Sequence, residues 1–125
     1  MLIKRTVHGN LGFFVEWLKI IKAYNPLTDK ENDLLALLLT KRYELSNVIL
    51  DEAILSKILF DKETKAEIVK ALDLKDMQTF ENLAHSLRKK GVITKGNLIH
   101  PAYIPRVEKN FKEFLIGFKI VKEDD

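Results

Sequence analysis

The sequence predicts an α+β fold, mostly helical, with a small antiparallel sheet. Three observations carry that expectation. Five segments place apolar side chains at helical spacing, a glycine-stopped helix runs straight into a compact hairpin signal at 91–100, and the period changes to alternation at 114–121. A length of 125 residues fits one domain with a real core, and 46% apolar with 31% charged residues is ordinary for a globular chain.

The first helical segment, 13–24 (FFVEWLKIIKAY), has a wide apolar stripe opposite Glu16, Lys19 and Lys22. Its aromatic residues Phe13, Phe14 and Trp17 read as core rather than as a stacking platform for bases. Asn25-Pro26 ends the segment. Thr28, with Glu31 three residues on, forms a capping-box pattern ahead of a helix from near Asp29 to about Arg42. Its leucines 34, 35, 37, 38 and 39 point nearly all round, which predicts the central helix. A third helix is expected from about Asp51 to Phe60, with Ile54, Leu55, Ile58 and Leu59 inward. A fourth spans 63–72, with Ala66, Ile68, Val69 and Leu72 inward.

After the polar link 73–76, a fifth helix is expected over 77–90 on Phe80, Leu83, Ala84 and Leu87. Gly91 stops it, because glycine takes the left-handed conformation without strain. Residues 92–94 and 97–100 then flank Lys95-Gly96 as a hairpin. Near the end, Phe114, Ile116, Phe118 and Ile120 alternate, predicting a strand that pairs with the hairpin or with an N-terminal strand at 2–7. An edge of that strand left free would be a template for a second chain.

Composition narrows the function classes. There are no cysteines, so a disulfide framework and a thiolate zinc site are both excluded, and a cytoplasmic setting is expected. No signal-like apolar stretch opens the chain and no run is long enough for a membrane span, so no membrane partner is expected. His8, His85 and His100 lack metal-ligand spacing, the five glycines form no phosphate loop, and Thr64 and Ser86 have no neighbouring base in the sequence. The expectation is therefore no enzyme, no catalytic residue, no metal and no cofactor.

The net charge of +3 is unevenly spread. Residues 1–60 carry 8 basic and 7 acidic side chains, 61–109 carry 10 and 7, and 110–125 carry 3 and 4. Between 88 and 109, Arg88, Lys89, Lys90, Lys95, Arg106 and Lys109 face only Glu108, a local field of the kind that attracts phosphate.

The stretch AEIVKALDLKDMQTFENLAHSLRKKGVITKGNLIHP resembles the core of a winged helix-turn-helix domain, as found in small transcriptional regulators and replication initiators. The matching features are the leucine-x-leucine turn Leu72-Asp73-Leu74, the anchors Phe80, Leu83 and Leu87, the closing Lys89-Lys90-Gly91, and the apolar wing strand Val92-Ile93. The resemblance covers 63–100, or 29–100 if the leucine-rich helix leads the domain. The turn is about a residue longer than usual, Asp73 stands where the family often has glycine, and the wing is short.

The resemblance implies a 29–104 core, with 1–28 as an N-terminal strand and helix extension and 105–125 as a C-terminal strand and acidic tail. It also implies binding of double-stranded DNA in transcriptional or replication control, through a recognition helix at 77–90 and a wing at 92–100. Gln78, Thr79, Asn82 and His85 would face base edges, and the two amides are chemically suited to adenine. Lys75, Lys89 and Lys95 would hold phosphates, and Asn97 would sit with Lys95 at the wing tip. Glu81 is awkward there, since a carboxylate repels phosphate. A homodimer is expected, because one short helix and a short wing make few phosphate contacts. The alternative is a protein-interaction or adaptor module that does not bind DNA, assembling through the C-terminal strand.

Overall fold

The computed structural model describes residues 4–24, 26–117 and 119–124. Five α-helices come first: α1 (Gly9–Ile21), α2 (Asp29–Ser46), α3 (Glu52–Leu59), α4 (Lys62–Ala71) and α5 (Met77–Lys89). An antiparallel pair follows, β1 (Ile93–Thr94) and β2 (Leu98–Ile99), then a single 3-10 turn at Pro101–Tyr103. The chain is thus α+β and mostly helical, with a two-stranded sheet. Among the described residues no helix is long and apolar enough to cross a membrane.

Helix α2 is central because leucine occupies nearly its whole circumference. Leu34, Leu35, Ala36, Leu37, Leu38 and Leu39 are all buried, and the helix packs on α1, α3 and α5. Its start is the expected capping box: the Thr28 hydroxyl accepts from the Glu31 amide at 3.1 Å, and the Glu31 carboxylate accepts from the Thr28 amide at 2.8 Å. It runs beyond Arg42 to Ser46 because Tyr43 continues the inward face and is itself buried.

The other helices follow their apolar stripes with local shifts. Helix α1 lies at Gly9–Ile21 rather than 13–24: residues 9–12 carry no apolar stripe, and Tyr24 sits in a turn at 70% exposure. Asp51 and Asp61 cap α3 and α4 by accepting backbone amide hydrogens. In α3, Leu55 and Leu59 are buried while Ile54 is exposed; in α4, Ile68 is buried while Ala66 is exposed. Helices α4 and α5 pack on each other, and α5 packs on α2 and β1. Phe80, Ala84 and Leu87 of α5 have no exposed surface.

The C-terminal segment differs from its expectation. Among the described residues 111–124 no strand forms, nor does one form over residues 4–8; residues 1–3, Phe118 and Asp125 lie outside the described residues. Alternation specifies a face, but a strand also needs a hydrogen-bonded neighbour, and β1 and β2 are two residues long and paired to each other. The aromatic side chains are drawn elsewhere. Phe111 and Phe114 stack edge-on against Phe13 at centroid distances of 4.6 and 5.5 Å, and Phe114 also meets Trp17 at 5.9 Å. The Trp17 indole donates to the Tyr103 carbonyl at 2.9 Å, while the Tyr43 hydroxyl accepts from the Asn110 amide at 2.8 Å. Phe13, Phe14 and Trp17 thus belong to the core and its margin.

Candidate nucleic-acid interface

The site is built on α4, the turn 72–76, α5 and the hairpin, and two helix ends of the same design set its geometry. At the end of α4 the Leu74 amide donates to the Val69 carbonyl at 2.9 Å and the Asp73 amide to the Lys70 carbonyl at 3.2 Å. At the end of α5 the Val92 amide donates to Leu87 at 2.9 Å and the Gly91 amide to Arg88 at 3.1 Å. Both are Schellman closures, in which the pivot residue must be left-handed. Gly91 has φ 77° and Asp73 has φ 52°, so the aspartate adopts the conformation that glycine would take there. The longer turn then delivers Asp76, whose carboxylate accepts the Thr79 amide at 2.8 Å and starts α5. That bond and the one from the Thr79 hydroxyl hold the Asp76 carboxyl below its ordinary value.

On α5, Gln78, Asn82, His85 and Lys89 are all exposed, and their spacing of four, three and four residues places them along one face. The Gln78 side-chain amide donates to the Asn82 carbonyl oxygen at 2.9 Å, joining two members of that row. Thr79 does not join it. It is half-buried, and its hydroxyl donates to Asp76 at 2.8 Å, so its role is to cap the helix. Lys75 is exposed in the turn before α5, and Lys95 is exposed at the hairpin tip.

Glu81 is neutralised by its neighbour on α4: Lys65 Nζ lies 2.8 Å from its carboxylate, and the same ammonium sits 5.9 Å from the centre of the Phe80 ring.

The hairpin loop has three residues, Lys95, Gly96 and Asn97, rather than the two expected. Gly96 and Asn97 are both left-handed, at φ 83° and 58°. Asn97 is half-buried, and its side-chain oxygen accepts from Arg88 Nη2 at 3.1 Å. Arg88 was not among the expected site residues. It ties the loop to the last turn of α5 and so fixes the position of Lys95 relative to Lys89. The only hint of this in the sequence is its place in the basic triplet.

The third member of that triplet, Lys90, is engaged elsewhere. Its ammonium lies 2.6 Å from the Glu31 carboxylate, which also accepts from the Ser86 hydroxyl at 2.5 Å. Glu31 is 2% exposed. Burial alone would raise its pKa, but the bonds from Lys90, Ser86 and Thr28 outweigh that and hold it at about 2.

His100 lies outside the α5 row. Its Nδ1 accepts from the Ala102 amide at 3.0 Å and caps the 3-10 turn. Among the described residues, no group of three or more histidine, aspartate or glutamate side chains is placed to hold a metal ion.

Comparison of the chain with protein-family models, with curated proteins and with solved structures finds no match.

Proposed function

We propose that this chain is a winged helix-turn-helix protein that binds double-stranded DNA, in transcriptional or replication control. The observation that carries the reading is the exposed row Gln78, Asn82, His85 and Lys89 on α5, flanked by Lys75 and Lys95. One helix fits the major groove, and side chains on its outward face reach base edges. Lys75, Lys89 and Lys95 act on the backbone phosphates and fix register. Lys65 removes the one acidic obstacle on the helix, and the Arg88 bond to Asn97 keeps wing and helix at a set spacing. Thr79 and Asn97 support the interface rather than touch bases.

A titration of a labelled mixed-sequence duplex by fluorescence anisotropy, repeated across salt concentrations, tests this. With three lysines on phosphates per chain, the expected log–log slope is about −3, and about twice that for a dimer. The double substitution Lys89→Glu with Lys95→Glu weakens binding steeply and flattens the slope. Binding unchanged by that pair, or absent even at low salt, refutes the reading.

A second reading, a protein-interaction module, is favoured by a separate observation. Val48, Leu50, Leu115 and Ile120 stand 79%, 93%, 80% and 93% exposed. Exposed apolar side chains of this size are surface that a protein partner would cover.

A further inference from the structure

Between the last turn of α5 and the hairpin lies an open notch of about 410 Å³. Arg88 and Lys95 line it together with Gly91, Gly96 and Asn97, and none of its lining residues is acidic. Nothing lies within 4 Å of where a Cβ would stand on either glycine, so both positions leave the notch clear for a ligand. Arg88 is half-buried, and among the described residues neither it nor Lys95 has an acidic group within ion-pair distance.

A guanidinium carries five N–H donors, and burial of its charge is ordinarily matched by an anion. Among the described residues its one side-chain bond runs from Nη2 to the Asn97 oxygen, at 3.1 Å. Asn97 is uncharged, so this bond orients the guanidinium without neutralising it. The Nε and Nη1 hydrogens remain for a ligand. The negative end of the α5 dipole offsets part of the Arg88 charge, yet Lys89 and Lys95, both exposed, add to it. A guanidinium fork matches two oxygens of a phosphate, and an ammonium adds a point charge beside them.

We propose that this notch seats one phosphate group, gripped by the Arg88 fork and closed by the Lys95 ammonium. The ligand class is a phosphate oxyanion. Its source rests on the DNA-binding reading, which makes it a backbone phosphodiester of the duplex beside the wing. Arg88 then joins Lys95 on the same phosphate, so the salt dependence expected for three lysines on phosphates is unchanged. Because Asn97 orients the guanidinium before the ligand arrives, little side-chain freedom is lost on binding.

Titrating the full chain with inorganic phosphate, at constant ionic strength in a chloride background, tests the seat without DNA. In nuclear magnetic resonance spectra the amides of Gly91, Gly96 and Asn97 and the Arg88 Nε–H should shift and saturate in the millimolar range. Arg88→Gln should weaken this binding at least about tenfold, and Arg88→Lys nearly as much, since lysine keeps the charge and loses the fork. Asn97→Gly keeps the left-handed turn at φ 58° and both cations, so it should change the affinity by less than about threefold. In the duplex titration Arg88→Lys should weaken binding about tenfold and equally for all sequences, the mark of a phosphate contact. Phosphate shifts that do not saturate, or that spread alike over the other lysines, overturn the seat. So does a loss in Asn97→Gly as complete as in Arg88→Gln, which would make Arg88 a brace for the loop and nothing more. Saturable phosphate binding with no duplex binding at low salt upholds the seat for a free phosphate compound and refutes the DNA-binding reading instead. Duplex binding with no saturable phosphate shift does the reverse.

Discussion

Replacing Glu31 by glutamine tests what joins α5 to the central helix. The carboxylate is 2% exposed and accepts from the Thr28 amide, the Ser86 hydroxyl and the Lys90 ammonium at 2.8, 2.5 and 2.6 Å. A carboxyl lowered from 4.5 to about 2 favours the folded state by about 3 kcal/mol at neutral pH. Because the folded value is the lower one, this stability is fully present above the unfolded pKa. It begins to fall as the pH drops below 4.5 and is gone only below about 2. Glutamine keeps the shape but replaces charge-assisted bonds with neutral ones, and Lys90, at 41% side-chain exposure, can return to water. The expected loss for Glu31→Gln is therefore about 2–3 kcal/mol at pH 7. Urea unfolding of both proteins at pH 7 and at intervals down to pH 2 measures it, and the difference between them isolates this group from Asp61 and Asp76, whose carboxyls also lie below their ordinary values. The gap should close as the pH approaches 2. A gap under about 0.5 kcal/mol at pH 7, or one that does not narrow in acid, refutes the assignment.

Other substitutions have equally definite outcomes. Asp73→Gly, at φ 52°, should stabilise by about 0.5–1 kcal/mol in urea unfolding, because glycine relieves left-handed strain at the α4 pivot. Gly91→Ala, at φ 77° with nothing within 4 Å of an added Cβ, should destabilise by about 1 kcal/mol through backbone conformation alone. Trp17→Phe removes the donor to the Tyr103 carbonyl and should cost about 1 kcal/mol or more, read by the same titration. Arg88→Ala frees the hairpin loop from α5, and faster amide exchange at 95–97, with α5 unchanged, is the expected sign.

How far the sequence could be read depended on how local each signal was. The capping box at Thr28 and Glu31, the stripe Phe80, Ala84 and Leu87, and the stop at Gly91 each lie within a turn or two of chain, and each took the expected form. Glu31 looked like a cap and nothing more. Its second role depends on Ser86 and Lys90, 55 and 59 residues away, and no periodicity carries that information. Thr79 and Asn97 look alike as polar surface residues, and only the folded positions of Asp76 and Arg88 show that they serve the scaffold. The alternation at 114–121 was real but incomplete as a signal. It marks residues able to form a strand and leaves open whether any backbone lies alongside.

The grip of α1 on the segment from Tyr103 to Phe114 also bears on the order in which the chain can fold as it is made. The bond from Trp17 of α1 to Tyr103 spans 86 positions, and the one between Tyr43 of α2 and Asn110 beside it spans 67, whereas α4, the turn, α5 and the hairpin close over short spans. Local contacts form early and distant ones wait for the loop between them to close. On a ribosome the helix pair and hairpin can assemble as soon as they emerge, while the Phe13 and Trp17 side of α1 stays uncovered until residues 103–114 follow. For that interval the nascent chain carries an aromatic surface, formed early and covered late, that a chaperone could hold.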